Sequence, residues 1–225
     1  TVTFNVTDGY ITIDPIDVTV TVTGHNDTAD YDGKAHSTEG YDASASSDLY
    51  DVTKDFTFSG TAKAERTDAG TTDMGLAAGQ FKNTNSNFAT VTFEVTDGYM
   101  TVDPIDVTVN VTGHNSTADY DGKAHSIEGY DAAASSDLYD VTKDFTFSGT
   151  AKAERTDAGT TDMGLAADQF KNTNSNFAAV TFEVTDGYMT VDPIDITVTV
   201  TGHNSTASYD GKAHSIEGYD AAASS

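Results

Sequence analysis

The sequence has no cysteine and no tryptophan, and only three of its 225 residues are proline. Without cysteine, the chain can form neither disulfide bonds nor thiolate metal sites. Basic residues are scarce: 11 lysines and arginines stand against 36 aspartates and glutamates, a formal net charge of −25. Such a charge repels nucleic acid and anionic lipid, so we expect no nucleic-acid partner. No apolar run approaches the roughly 20 residues that span a bilayer, so we expect no membrane insertion in this chain.

What the sequence does have is a repeat of 89 residues. Residues 1–89 and 90–178 differ at only eight positions, and a third, incomplete copy begins at Ala179. Near-identical copies supply length or many weak contacts, whereas catalysis rarely needs one site several times in a row. The repeat therefore predicts a structural array and no enzyme.

Alternation of apolar and polar residues predicts strands. "VTFNV" (2–6), "VTVTVT" (18–23) and "FATVTFEV" (88–95) each follow the period of two of a half-buried strand. Asp8-Gly9 separates the first of these runs from "YITI" (10–13), and an Asp-Gly pair between alternating runs predicts a β-hairpin.

The remainder of the repeat has its own turn and strand signals. Asp32-Gly33 predicts a second turn and "TDAG" (67–70) a third, while "DFTFSGTAKAE" (55–65) reads as one strand. Helix signals are weak, and "GLAAGQF" (75–81) is one of two places for a short helical turn. The predicted fold is all-β: a tandem array of small β-sandwich or β-grasp-like domains with an 89-residue repeat, forming an extended rod.

The apolar positions of these runs predict the core, because alternate residues share one face of a strand. We expect these residues and their equivalents to be largely buried: Val18, Val20, Val22, Phe56, Phe58, Phe88, Val91, Phe93 and Val95.

The three prolines predict the domain limits. Pro15, Pro104 and Pro193 occupy one position of the repeat, and proline lacks the N–H that a central strand needs. With the junctions there, 16–104 and 105–193 are two β-domains. Residues 1–15 are then the C-terminal hairpin of a truncated repeat, and 194–225 are the N-terminal part of another. We expect both ends to be held by more protein, either a continuing chain or a neighbouring subunit, because isolated hairpins are marginal in water.

Several phrases resemble the YDG/MBG-type (mostly-β, glycine) repeats of bacterial cell-surface adhesins. They are "YDGKAHS" (31–37), "TDAG" (67–70), "NF" (87–88) and "VTFEVTDGYMTVDP" (91–104), with their copies. The resemblance implies an extracellular stalk or adhesin repeat attached to a cell wall, mainly of Gram-positive bacteria, with no catalytic residues. One departure is that Thr71 and Thr72 follow the "DAG" turn, where many such repeats place an aromatic residue.

Acidic residues around the prolines make a calcium site conceivable. Calcium takes six to eight oxygen ligands, and the candidate carboxylates are Asp14, Asp17, Asp103 and Asp106. Their spacing fits no EF-hand loop, and aspartate is also an ordinary turn residue, so we expect an array without a required cofactor. His25 and His36 with a nearby aspartate offer a zinc alternative to single hydrogen-bonded loop imidazoles.

Two further features bear on function. Lys82 precedes Asn83, Asn85 and Asn87, which reads either as a solvated loop or as a Lys–Asn isopeptide cross-link. Five Asn-x-Ser/Thr sequons begin at Asn5, Asn26, Asn110, Asn115 and Asn204.

The expected function is that of stalk or spacer repeats in a surface adhesin or fibre, which project a functional head from the cell. The expected partners are neighbouring repeats of the same chain, or identical subunits end to end. Any host or cell-surface ligand is expected to bind domains outside these residues. The alternatives are a multivalent module with weak glycan or protein sites, and a self-assembling filament subunit. The exposure of three tyrosines distinguishes a binding module from a stalk: Tyr31, Tyr41 and Tyr50. If they lie together on one exposed face they favour the binding module, and if they are buried they favour the stalk.

Overall fold

The computed structural model describes residues 1–224 and confirms the all-β class. The first repeat contains ten strands: β1 (Ile16–Gly24), β2 (Asn26–Asp30), β3 (His36–Glu39), β4 (Tyr41–Ala45), β5 (Phe56–Phe58), β6 (Lys63–Arg66), β7 (Gly70–Asp73), β8 (Phe81–Asn83), β9 (Phe88–Thr96) and β10 (Tyr99–Asp103). A 3-10 turn, η1 (Ala78–Gln80), precedes β8, as the sequence allowed.

Every element recurs 89 residues later. The second repeat contains β11 (Ile105–Gly113), β12 (Asn115–Asp119), β13 (His125–Glu128), β14 (Tyr130–Ala134), β15 (Phe145–Phe147), β16 (Lys152–Arg155), β17 (Gly159–Asp162), η2 (Ala167–Gln169), β18 (Phe170–Asn172), β19 (Phe177–Thr185) and β20 (Tyr188–Asp192). Two more strands follow, β21 (Val198–Gly202) and β22 (Tyr219–Ala223).

The strands form small sheets. In the first repeat, β1 lies between β4 and β9, and β10 lies between β2 and β7, while β3 pairs with β6 and β5 with β8. The second repeat has the same sheet orders, and β21 pairs with β22. The β1–β9 and β2–β10 pairs are parallel, and β1–β4 is antiparallel.

The chain divides into two compact units. Among the described residues, the first comprises 1–108, 134–145 and 172–181, and the second comprises 109–133, 146–171 and 182–224. This division passes through the second repeat and does not follow the proline positions. The domain limits 16–104 and 105–193 therefore stay a prediction.

The predicted hairpin at the Asp-Gly pair is wrong in all three copies. Residues 1–15 form no strand and are exposed. In the next two copies, β9 and β10 flank Asp97-Gly98 and β19 and β20 flank Asp186-Gly187, but the two strands of each pair lie in different sheets. Instead of pairing with each other, β9 pairs in parallel with β1 and β10 pairs in parallel with β2. The dipeptide therefore connects one sheet to the other.

Glycines make this crossing possible. Gly24 lies where β1 leads into β2, and a Cβ built there would press against the backbone of Gly98. The Asp97 carboxylate accepts the backbone N–H groups of Gly98, Gly75 and Leu76 at 2.8–2.9 Å. The dipeptide is thus the point at which two parallel strands change sheets side by side.

The predicted single strand at 55–65 is also wrong. β5 ends at Phe58 and β6 begins at Lys63, and the two belong to different sheets. Ala62, with a positive φ of 40°, lies in the break, which is why one continuous strand cannot form.

The core of the first repeat follows the predicted faces. Val18, Val20, Val22 and Phe88 are buried; the other predicted core residues are partly buried and pack against the same cluster. The cluster also contains buried residues that alternation did not identify: Tyr50, Ala62, Ala64, Met74, Leu76, Phe81, Met100 and Val102.

Candidate functional site: the junction within the first unit

A junction between one repeat and the next lies wholly inside the first unit. On one side is the acceptor loop, residues 67–70, together with Tyr31. On the other is the asparagine segment, residues 172–177. The side chain of Asn176 accepts a hydrogen bond from Ala69 N at 2.7 Å and donates one to Asp68 Oδ1 at 3.0 Å. Only 8% of Asn176 is exposed, so both polar ends of this amide are satisfied by the acceptor loop alone.

An aromatic contact accompanies these hydrogen bonds. The rings of Tyr31 and Phe177 meet edge to face with centroids 5.8 Å apart. On its other side, Phe177 meets Tyr139 of its own repeat at 4.9 Å. Phe177 therefore joins the core of its own repeat to the preceding repeat.

The acceptor loop is held in shape by Arg66. Its Nε donates to Asp68 O and its Nη2 to Ala69 O, both at 2.7 Å. Gly70 closes the loop with a φ of 129°, and a side chain there would collide with the guanidinium. Arg66 thus holds the acceptor loop in the conformation that meets Asn176.

The asparagine segment is held by a ladder of its own side chains. Asn172 Oδ1 accepts the N–H of Asn174, and Asn174 Oδ1 accepts the N–H of Asn176, each at 3.0 Å. The carbonyl of Asn176 accepts the N–H of Ile105 at 3.1 Å. Each asparagine side chain thus holds the backbone of the asparagine two residues later. The ladder places Asn176 against the acceptor loop.

The two counterparts of this junction are open. At the start of the first repeat, Asn87 is exposed, and Ile13, Pro15, Leu49 and Phe88 line a cavity of about 400 Å³ with it. The same Asn ladder is present, with Asn85 Oδ1 accepting the N–H of Asn87 at 3.0 Å. The asparagine half of the contact therefore has the same local structure at the start of the first repeat.

The other half is open in the second unit. Tyr120, Asp157 and Ala158 line a depression of about 340 Å³ with Pro193 and Ile194. Arg155 still donates to Ala158 O at 2.8 Å, but its buried Nε has no hydrogen-bond partner among residues 1–224. In the junction that contains Asn176, the equivalent Arg66 Nε donates to Asp68 O. The loop that contacts an asparagine segment is therefore the one in which this nitrogen has a hydrogen-bond partner.

Aspartates in the turns carry shifted pKa values. Lys34 N–H and the His36 ring hold the pKa of Asp32 below its usual range, and the equivalent bonds lower the pKa of Asp121 to about 2. Lys54 and Thr53 likewise lower the pKa of Asp51. These three carboxylates therefore stay charged to lower pH than an ordinary aspartate does.

The four calcium candidates are not brought together. Asp14, Asp17, Asp103 and Asp106 are all exposed. Asp14 lies beside the cavity at Pro15, and Asp106 accepts the N–H of Ala179 at 2.9 Å. Within residues 1–224 no three His, Asp or Glu side chains form a group that could hold a metal.

His25 and His36 contact different acidic residues and do not share one. His25 Nδ1 lies 2.8 Å from Glu39 O and its Nε2 3.5 Å from Asp42, while His36 Nε2 lies 2.8 Å from Asp32. The Glu39 carbonyl and the Asp42 carboxylate raise the pKa of His25.

The lysine considered for a cross-link points away from its neighbour. Lys82 is exposed in β8, whereas Asn83 is half-buried and accepts the Tyr50 hydroxyl at 3.2 Å. Adjacent residues in a strand face opposite sides, so β8 separates this pair.

Comparison with known proteins finds no significant match to any protein-family model, curated protein sequence or solved structure.

Proposed function

We propose that this chain is a set of structural spacer repeats from an extracellular surface adhesin or surface fibre, holding a functional head away from the cell. The observation that carries the proposal is the junction. Its residues, Tyr31, Asp68, Ala69, Asn176 and Phe177, recur identically in the other copies present. A contact made by repeated residues can be repeated along a chain, which is what a spacer requires.

The tyrosines support a spacer over a binding module. Tyr50 is buried, and its hydroxyl donates to Asp55 O at 3.0 Å. Tyr41 packs edge to face on Phe58 and Phe81, and Tyr31 packs on Phe177. These rings serve the core and the junction and do not form one exposed aromatic face.

The net charge supports the same proposal. A net charge of −25 keeps the chains soluble and apart, which suits a crowded surface. No helix within residues 1–224 is long and apolar enough to cross a membrane.

The proposal is tested with chains that carry one, two or four additional 89-residue repeats, studied by small-angle scattering. We expect the longest dimension to rise by a constant increment of about 35–45 Å per repeat, if about ten extended residues set each long axis. A chelator should leave the increment unchanged, because the candidate carboxylates lie apart. The proposal fails if added repeats enlarge the cross-section and leave the length the same.

Localisation needs a separate measurement. Antibodies against this chain, with gold labelling of intact cells of the source, should mark points outside the cell envelope. Labelling that appears only after the cells are broken open would exclude the surface role.

A further inference from the structure

Two of the five Asn-x-Ser/Thr sequons occupy the same place in successive repeats. Asn26 is the first residue of β2, and Asn115 is the first residue of β12. The threonines that complete the two sequons are Thr28 and Thr117, and all four residues are exposed. Because residues i and i+2 share one face of a strand, the asparagine and the threonine of each sequon lie on the same face.

The side-chain amide of each asparagine is fixed through its oxygen alone. Asn26 Oδ1 accepts the N–H of Tyr99 at 3.1 Å, and Asn115 Oδ1 accepts the N–H of Tyr188 at the same distance. Neither Nδ2 has a hydrogen-bond partner among residues 1–224. A glycan joins asparagine through this nitrogen, so its attachment leaves the hydrogen bond to the oxygen intact.

The strand that carries each sequon lies at the edge of its sheet. In the order β2-β10-β7, β2 has one hydrogen-bonded neighbour, and β12 has the same place in β12-β20-β17. Asn26 and Thr28 lie on the face opposite the buried Met100 and Val102. An enzyme can therefore approach the sequon from this face and from the open edge. A bulky glycan there would also shield an edge that invites pairing with other chains.

Asn110 supplies the contrast within the same chain. It also begins a sequon and is exposed, but β11 lies between β14 and β19 in its sheet. The equivalent residue of the first repeat, Thr21, faces Ser44 on one side and Glu94 on the other. A sequon in a central strand is held by hydrogen bonds along both sides, so an enzyme reaches it from one face only.

We propose that Asn26 and Asn115 are N-glycosylated after the chain has folded and that Asn110 is not. The donor is a sugar whose anomeric carbon is activated by a phosphate ester. Nδ2 forms a bond to this carbon, the bond between the carbon and the phosphate oxygen breaks, and the phosphate leaves with the electron pair. A base of the transferring enzyme takes one proton from Nδ2. The inference rests on the proposed surface function only for its biological setting.

The first test maps the chain as its source makes it. The purified chain is digested with trypsin and analysed by mass spectrometry. Electron-transfer fragmentation separates Asn110 from Asn115, which share the tryptic peptide 83–123. We expect the added mass of a glycan at Asn26 and at Asn115 and none at Asn110. Two unmodified edge asparagines, or equal occupancy at Asn110, would overturn the proposal.

The second test changes one sequon and keeps the other as a control in the same molecule. Produced in the source cells, Thr28→Ala should abolish modification of Asn26 and leave that of Asn115 unchanged. Thr28→Ser keeps a sequon and should retain the modification. Thr28 is exposed, so neither substitution removes a buried contact. Modification of Asn26 that persists in Thr28→Ala, or that is lost equally in Thr28→Ser, would contradict a sequon-dependent transfer.

The outcomes separate this inference from the spacer function. An unmodified chain that antibodies label on intact cells removes the glycosylation sites and leaves the spacer. A modified chain whose length does not grow with added repeats overturns the spacer and leaves the glycosylation sites.

Discussion

The strongest single prediction concerns Asn176→Ala at the closed junction. The substitution removes an acceptor from Ala69 N–H and a donor from Asp68 Oδ1. It leaves Phe177 and the backbone bond from Ile105 in place, so it tests the amide alone.

The magnitude follows from the two bonds. A neutral hydrogen bond contributes about 0.5–1.5 kcal/mol and one to a charged group about 1.5–3 kcal/mol. The alanine leaves the N–H of Ala69, a half-buried residue, without its acceptor, and an unpaired buried donor costs about 1–3 kcal/mol. Since these terms overlap, we expect Asn176→Ala to lower the free energy of unfolding by about 2–3 kcal/mol.

The chain supplies its own control. Asn87 has the same neighbours in sequence but is exposed, and we expect Asn87→Ala to change stability by no more than about 0.5 kcal/mol. Denaturant unfolding of both variants is followed by circular dichroism and tyrosine fluorescence, with Asp68→Ala and the double variant completing a cycle. Equal effects of Asn176→Ala and Asn87→Ala, or a zero coupling energy between Asp68 and Asn176, would refute the reasoning.

Three other predictions follow from the same structure. Gly24→Ala should destabilise the first unit by about 1–3 kcal/mol or more in denaturant unfolding, because the new Cβ presses on the opposite backbone. Asp97→Ala frees three N–H groups and should cost about 3 kcal/mol, while Asp8→Ala, at the same position of an exposed segment, should be neutral in the same assay. The pKa of His25 is raised above 6.5, so its contribution to stability is complete below pH 6.5 and is lost as pH rises through the folded value. An NMR titration midpoint at or below 6.5 would contradict that prediction.

Local patterns located some of the strands, such as β1 and β9, but did not predict which strands pair. Alternation located β1 and β9 and the face that holds Val18, Val20 and Val22. The Asp-Gly rule then failed, because a turn dipeptide reports local geometry while the pairing of β9 with β1 spans some 70 residues. Gly24 carried the missing signal, since a glycine that ends a β-branched run often marks a close backbone approach.

The junction could be predicted only in part. "TDAG" and "NF" were recognised as recurring phrases, yet the run "KNTNSN" was interpreted as a solvated loop or a cross-link. Asparagine at alternate positions was the available signal, because each side chain can fix the backbone two residues on. Asn176 contacts Asp68, which is 108 residues away in sequence. This contact depends on how one repeat packs against the next, and no local sequence pattern contains that information.

The parallel pairing of first and last strands has a mechanical consequence. β1 and β2 begin the first repeat and β9 and β10 end it, and they lie side by side in the same direction. Parallel neighbours place the beginning of one strand and the end of the other at opposite ends of the pair. A pull on the chain at Ile16 and Asp103 would therefore slide these strands past each other. In that geometry the hydrogen bonds of a ladder share the load and break together, whereas an antiparallel hairpin pulled at its open end would unzip one bond at a time.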